Sequence, residues 1–386
     1  MPKSTTYFDE PLQDWTRRKH AILENYFPSF CKALSSHTRG QSIWYIDGYA
    51  GAGSYQHLED PASKKLPGSP VIAATVAQNL PYDVQCLNVE ADQNVFVRLQ
   101  QETAQFSCVM NINDQFTSVV DKILQQVARS QAFFFLDPFG VADLPMKGVI
   151  ERIAQRSLAT DILLRYDFET VRRLIGSAMK DAKRGDANAL HVDNWFKGDG
   201  WRVIVENTST SSAERDAALL KYYKQQLKSI SMGRLNFVVD YPIRTTDGKV
   251  KYYLVFATGN KLGIKIMSQV LYKAESEFNT ENQAYHDKKS GGQGNFFAID
   301  APSHEDKYIE HIQEIATSIQ LVGRTKMTDW EFDNLFCEII LEHGWCGRVS
   351  EKDFRAALKH LRDEDSLERL TEGNAWSTGI EFRIKT

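Results

Sequence analysis

The sequence predicts an α/β protein: a Rossmann-like parallel sheet with a mostly helical insertion and a small winged-helix-like module at the C-terminus. Three observations carry this. Short apolar runs that end on a carboxylate alternate with helical patterns. A β-hairpin signal follows a long helical stretch. The last residues then switch to a compact helix–helix–strand–strand pattern.

Taken in order, the first 40 residues read as helical, with Trp15, Ile22, Leu23, Tyr26 and Phe30 at helix-like spacing. Residues 42–47, Ser-Ile-Trp-Tyr-Ile-Asp, form an apolar run closing on an acid and then a glycine-rich turn, as a buried parallel strand reads. Runs of the same kind recur at 85–90, 132–137 and 161–167, separated by helical patterns at 70–79, 93–104 and 115–129. The first three strands end on Asp47, Glu90 and Asp137. Parallel sheets bind ligands at the carboxyl ends of their strands, so this coincidence is a functional signal.

Residues 168–232 read as a mostly helical insertion, broken at Lys197-Gly-Asp-Gly200 and at 207–212. A hairpin follows, with strands at 235–241 and 251–257 around Thr246-Asp-Gly248. A parallel sheet closed by an antiparallel hairpin is the plan of the class I methyltransferases. Residues 279–295, centred on Lys288-Lys-Ser-Gly-Gly-Gln-Gly294, are polar and glycine-rich and read as a loop. The chain is expected to divide into a domain at 1–300 and another at 301–386.

In the second of these, Thr328-Asp-Trp-Glu331 has the form of a capping box opening a helix through Leu341, and Ser350-Glu-Lys-Asp353 caps a second helix. Phe354, Leu358 and Leu361 share one face of that helix, with Lys352, Arg355, Lys359 and Arg362 opposite. Strands at 366–370 and 380–384 complete the winged-helix pattern. The basic face is a candidate for nucleic-acid contact through Arg355, Lys359 and Arg362; the plainer reading is a solvated charged face.

Composition narrows the function classes. The 386 residues are 42% hydrophobic and 25% charged, ordinary for a globular chain with a sizeable core. No apolar run is long enough to span a bilayer. The start, Met1-Pro-Lys-Ser-Thr-Thr, has no signal-peptide core, so a cytoplasmic protein is expected. A formal net charge of −4 argues against a non-specific polyanion binder. The five cysteines, Cys31, Cys86, Cys108, Cys337 and Cys346, are odd in number and form no CxxC pair, and the histidines show no HxxxH spacing. No metal site is therefore assigned.

The strongest local motif is Tyr45-Ile-Asp-Gly-Tyr-Ala-Gly-Ala-Gly-Ser54. Gly48, Gly51 and Gly53 permit a tight turn and close approach of backbone N–H groups to a ligand. A dinucleotide site wants GxGxxG opening directly into a helix; here a loop intervenes before Gly68-Ser-Pro70. That spacing suits the methionine portion of S-adenosylmethionine better than a pyrophosphate, the plainer reading being a turn. Glu90 is placed to accept both ribose hydroxyls of an adenosine. Asn113-Asp114 follows the apolar run 106–112, with Asp114 a candidate for the adenine amino group.

Asp137-Pro-Phe-Gly140 closes a strand of three consecutive phenylalanines. An acid at that place, with Pro138 and the carbonyl after it, accepts hydrogen bonds from an exocyclic amine and aims its lone pair at a sulfonium methyl, and Phe139 is the candidate to stack on the base. The plainer reading is an Asp-Pro turn ending a core strand. Arg17-Arg18-Lys19-His20 forms a basic patch on the first helix, a candidate grip on phosphates or the polar side of an amphipathic helix.

Together, Lys19-His20, the 45–55 motif, Gly68-Ser-Pro-Val-Ile-Ala73, Phe135-Leu-Asp-Pro-Phe-Gly140 and Tyr252-Tyr-Leu-Val-Phe-Ala257 followed by Gly263 resemble the three-Cys-motif partner proteins (TcmP) over residues 10 to 275. The N-terminal signatures are also similar to the bacterial 23S ribosomal RNA adenine-N6 methyltransferases. The resemblance implies a class I fold, S-adenosylmethionine held by Asp47, Gly48, Gly51, Gly53 and Glu90, and a catalytic acid at Asp137. It implies a nucleic-acid substrate, RNA or DNA, and a neighbouring three-cysteine protein resembling radical S-adenosylmethionine enzymes as a partner. One departure stands out. The ribosomal enzymes carry Asp-Pro-Pro-aromatic, whereas Asp-Pro-Phe-Gly resembles the tRNA guanine-N2 dimethyltransferases. Either amine is then open as the target, as is a catalytically altered protein that keeps the fold to bind its partner.

Overall fold

A computed structural model describes residues 12–37, 40–55, 65–138, 144–180, 185–207, 211–289, 304–326, 329–372 and 379–385. The chain forms two compact units, residues 1–245 with 249–260, and residues 246–248 with 261–386. The division falls at 260/261, earlier than the boundary expected at 300/301, because the long helix after the hairpin belongs with the C-terminal unit.

The first unit begins with helix α1 (Asp14–Leu34). Strand β1 (Ile43–Asp47) leads into a glycine loop, whose end β2 (Ser54–Tyr55) pairs with β3 (Leu66–Pro67). Then come α2 (Ser69–Asn79), β4 (Val84–Glu90), α3 (Gln93–Thr103), β5 (Val109–Asn113), α4 (Phe116–Gln126) and β6 (Ala132–Leu136). A short α5 (Glu151–Ala154) precedes β7 (Thr160–Tyr166). Four helices follow, α6 (Phe168–Lys180), α7 (Gly185–Phe196), α8 (Trp201–Glu206) and α9 (Ser212–Ile230), as the helical reading of 168–232 anticipates. The hairpin β8 (Phe237–Arg244) and β9 (Val250–Thr258) closes the unit.

The sheet runs β5-β4-β1-β6-β7-β9-β8. Its first five strands are parallel, while β9 is antiparallel to both β7 and β8. This is a Rossmann-like open sheet closed by an antiparallel hairpin. β5 is the strand that sequence patterning reads only as an apolar run. It lies at the edge, two of its five residues are polar, and none is fully buried.

Helix α1 is placed by an aromatic stripe. Tyr26 and Phe30 pack on Phe133 with ring centroids 5.4 and 5.7 Å apart, and Phe27 packs on Tyr45 at 5.1 Å. The helix runs antiparallel to β6, so its N-terminal turns reach the carboxyl ends of the strands. A helix rises about 1.5 Å per residue and a strand about 3.3 Å. The segment from Phe30 back to Lys19 therefore matches the strand from Phe133 to Asp137. On the other side of the sheet the inserted helices bury Trp195, Phe196, Trp201 and Tyr223 with Tyr166 of β7.

In the second unit, α10 (Lys261–Lys289) is followed by α11 (His304–Lys326), β10 (Trp330–Glu331), α12 (Phe332–His343), α13 (Glu351–Asp363), β11 (Leu367–Arg369) and β12 (Glu381–Ile384). The last three strands pair in the order β10-β12-β11. Two expectations need correction. Residues 279–289 are helix rather than loop: they form the exposed end of α10, and a solvated helix end is polar enough to read as a loop. Residues 290–295 lie outside the described residues. The helix expected from Thr328 begins instead at Phe332, because Trp330 and Glu331 pair with Phe382 and Glu381 as strand, and the N-cap Glu331 makes no side-chain cap. The Ser350–Asp353 capping box is present in full. Among the described residues no helix is long and apolar enough to cross a membrane.

Asp161, near the start of β7, accepts from Tyr26 Oη under α1 and from Thr258. Burial pushes its carboxyl up to about 6, against those two hydrogen bonds. The folded state thus binds this proton more tightly than the unfolded chain. The resulting stabilisation is present below about pH 4 and is lost as the pH rises through about 6. Urea denaturation of the wild type and Asp161→Asn should show the wild type's relative stability falling by about 2 kcal/mol between pH 4 and pH 6. A difference that stays flat with pH would refute the buried, proton-binding carboxyl.

Candidate active site

The carboxyl ends of β1, β4 and β6 converge where the strand order reverses around β1, the place at which open α/β sheets bind ligands. Three backbone contacts build the floor. Gly48 N–H donates to Phe135 O at 3.1 Å, Ala50 N–H to Val89 O at 2.9 Å, and Gly68 N–H to Gly53 O at 2.8 Å. The loop after β1 is thereby tied to both neighbouring strands and to the start of α2. Gly48 is required by space, since a Cβ there would lie 2.7 Å from Leu136 Cδ2 and 3.1 Å from Phe116. Gly53 is required by conformation, at φ +78°.

Asp47 is fully buried beneath the loop. It accepts from Tyr45 Oη at 3.0 Å and from Tyr49 N–H at 3.1 Å. Burial pushes its carboxyl up to about 6, opposed chiefly by a hydrogen bond from Ser69. Its role here is to brace the turn from within. Glu90 sits nearer the surface at the tip of β4. One carboxylate oxygen accepts from Gly51 N–H at 3.0 Å and the other from Asp92 N–H at 2.7 Å. Each oxygen has two lone pairs, so the clamp leaves acceptor capacity on both. Burial raises this carboxyl above its ordinary range, against those backbone bonds. Asp92 in turn caps α3 through Asn94 and Val95 N–H.

Asp114 does not join this group. It is exposed beyond the edge strand and accepts from the N–H of its own neighbour, Gln115, at 2.7 Å. Its neighbour Asn113 instead reaches back, donating to Glu90 O at 2.8 Å.

Asp137 follows β6 directly, and Pro138 after it is buried; Phe139 lies outside the described residues. The Asp137 carboxylate is gripped by Lys19 Nζ through Oδ2, while Arg165 Nη1 stands 3.7 Å from Oδ1. Burial alone would raise this carboxyl; Lys19 and Arg165 outweigh it and hold it below the usual carboxylate range. Asp137 is therefore a charged acceptor at neutral pH.

The basic patch on α1 is not a surface patch. Lys19 is 4% exposed and spent on Asp137, and its Nζ lies 5.7 Å from the centre of the Phe135 ring. His20 is buried against Tyr55, and burial, reinforced by Lys19, drives its imidazole down to about 3, so it is neutral. Arg18 Nη1 donates to Arg244 O, and Arg17 alone is exposed, 3.7 Å from Asp14. The reason is geometric: the aromatic stripe turns the Lys19-His20 side of α1 toward the sheet. In the second unit the opposite-face pattern of α13 is present, with Phe354, Leu358 and Leu361 buried and Lys359 and Arg362 exposed. Arg355, however, pairs with Glu351 and lies over the Phe332 ring, and Arg362 pairs with Asp363.

The cleft above the glycine loop has Trp15, Lys19, Tyr49, Asp137, Arg165 and Tyr252 in its walls. Arg165, Tyr252 and Trp15 are site residues that sequence patterning did not nominate. Arg165 left a readable trace, a cation in the apolar run Asp-Ile-Leu-Leu-Arg-Tyr-Asp. Tyr252 and Trp15 left none, since an aromatic in a hairpin or helix reads as core. Among the described residues no group of three or more His, Cys, Asp or Glu side chains could hold a metal ion.

No family model and no curated protein matches the sequence. Solved structures match it in part at low identity. A Legionella pneumophila protein of the DUF519 family is 11% identical, with a TM-score of 0.43 over 70% of this chain and 93% of that one. An RNA methyltransferase from Salinibacter ruber, solved with S-adenosyl-L-homocysteine, is 11% identical, with a TM-score of 0.21 over 36% of this chain and 74% of that one.

If Glu90 clamps the loop as its two backbone bonds require, Glu90→Ala frees the amides of Gly51 and Asp92. Hydrogen exchange followed by mass spectrometry should then show faster exchange in the peptides spanning 48–55 and 90–94, with β6 and β7 unchanged. Unaltered protection in the glycine loop would exclude the clamp.

Proposed function

We propose that this chain is an S-adenosylmethionine-dependent methyltransferase acting on an exocyclic amine of a base in RNA or DNA. The observation that carries the reading is Asp137, an ionised carboxylate at the carboxyl end of β6, beside a glycine loop whose other border is the Glu90 clamp. The residues fit the cofactor. Glu90 keeps acceptor capacity for the ribose hydroxyls, the loop at 48–53 offers a turn without side chains at its glycines, and Asp47 stiffens it from below. When bound, the cofactor supplies an electrophilic methyl group on a sulfonium.

The chain's own contribution is positioning and charge. Asp137 accepts a hydrogen bond from the substrate amine and turns the nitrogen lone pair toward the cofactor side of the cleft. Lys19 and Arg165 keep that carboxylate ionised. No strong general base is needed, because the amine sheds its proton after the transfer. Trp15, Tyr49 and Tyr252 offer aromatic walls on which a base can stack, as enzymes that work on extruded bases do. The motif order supports grouping the chain with the three-Cys-motif partner proteins, with a three-cysteine protein as partner and a cytoplasmic location. The α11–β12 arrangement supports a winged-helix module, and the exposed Lys352, Lys359 and Arg362 on α13 support phosphate contact by it.

Calorimetric titration should give micromolar one-to-one binding of S-adenosylmethionine, lost in Glu90→Ala. Absence of binding to folded, cofactor-free protein would overturn the reading in favour of a partner-binding role. With methyl transfer from labelled cofactor to mixed RNA and DNA as the readout, Asp137→Asn and Asp137→Ala should lose about 100-fold or more in turnover while keeping cofactor affinity within a few-fold. A large loss of cofactor affinity would refute the division of roles.

A further inference from the structure

We propose that Arg165 is the specificity-determining residue of this cleft: it donates a hydrogen bond to a ring nitrogen flanking the amine that Asp137 holds, so the cleft takes adenine or cytosine and rejects guanine. The inference rests on the methyl-transfer reading above and names its substrate edge.

The register of β6 and β7 sets the geometry. Leu136 pairs with Leu164, and one residue further on Asp137 and Arg165 stand side by side at the strand ends, on the face covered by α1. The guanidinium is anchored on two sides without being used up. Nη2 donates to Asp167 Oδ2 at 2.9 Å, and the plane lies 4.4 Å from the centre of the Tyr252 ring. Nη1 stands 3.7 Å from Asp137 Oδ1, beyond hydrogen-bond reach, and Oδ1 has no partner. Arg165 Nε is likewise buried and unpaired. An anchored donor beside a charged acceptor, both one-fifth exposed or less and facing a cleft with aromatic walls, is costly to leave unsatisfied. A ligand that supplies a donor and an acceptor side by side relieves both at once.

The bases differ on this point. In adenine the amine N6 is flanked by the acceptor N1, with N7 nearby on the other edge, and in cytosine N4 is flanked by the acceptor N3. In guanine the base-pairing neighbour of N2 is N1–H, a donor, which would meet the Arg165 donor head on. The other neighbour, N3, lies on the sugar side. A mismatch that leaves a buried donor facing a donor discriminates more strongly than a missing methyl group does. The charge balance agrees with a neutral ring as the occupant. Lys19 and Arg165 are offset by Asp137 and Asp167, and His20 is neutral.

The test measures kcat/KM for methyl transfer to short oligonucleotides presenting one unpaired adenine, cytosine or guanine, and their 1-deaza-adenine, 7-deaza-adenine and 3-deazacytosine analogues. The wild type should prefer adenine or cytosine over guanine by tenfold or more. It should also lose about tenfold when the relevant ring nitrogen becomes C–H. In Arg165→Met the deaza penalty should shrink to within about twofold, while Arg165→Lys keeps part of it. If Arg165→Met does not fold, as judged by circular dichroism, the wild-type deaza series and Arg165→Lys decide the matter. Guanine preference, no deaza penalty in the wild type, an equal penalty in the variants, or an effect confined to the KM for cofactor would overturn the assignment while leaving methyl transfer intact. Transfer to none of the bases by the wild type would overturn both.

Discussion

The site depends on how helix α1 lies across the sheet. Tyr26, Phe27 and Phe30 bury an aromatic stripe on Tyr45 and Phe133, and that packing fixes the rotation of the helix. With the rotation fixed, Lys19 arrives over Asp137 and His20 over Tyr55. A half-buried carboxylate at the end of an apolar strand would otherwise tend to protonate; paired with Lys19 and neighboured by Arg165, it stays charged. Breaking such a pair from one side leaves an uncompensated charge in low dielectric, so fold and site are coupled through this contact.

A similar economy holds on the other side of the cleft. Glu90 is both the tip of β4 and the staple of the glycine loop, through one carboxylate. Asp47, fully enclosed, stiffens the same loop from beneath. The two acids are adjacent in role and opposite in exposure. Burial separates them: Asp47 is fully enclosed beneath the turn, whereas Glu90 is only partly buried and ties the loop through Gly51 N–H.

Much of this was legible in the sequence, and particular residues show why the rest was not. The strands ending on Asp47, Glu90 and Asp137 could be read because a parallel strand buried on both faces leaves a run of Val, Ile, Leu and Phe with an abrupt polar end. The edge strand at Val109–Asn113 could not, because an edge strand need not be apolar. The solvated end of α10 reads as a loop because an exposed helix end carries no apolar periodicity. Charge was the least readable feature. Arg17, Arg18, Lys19 and His20 form one basic run in the chain, yet the helix sends Arg17 to solvent, Arg18 to a carbonyl and Lys19 and His20 into the protein. Asp114, expected at the adenine by its place after a strand, is exposed and accepts from the N–H of its neighbour Gln115.

The α/β class, the strands that carry the acids, the glycine turn and the helical insertion are all written locally in the chain. These follow from periodicity and local conformational freedom, which are properties of neighbouring residues. Packing decides that Lys19 partners Asp137, that Arg165 and Tyr252 belong to the same cleft, and that Asp47 is enclosed while Glu90 is only partly buried. Those facts depend on strand register and helix rotation. They bring together groups distant in the chain, Lys19 and Asp137 lying 118 residues apart, and no local pattern records that distance.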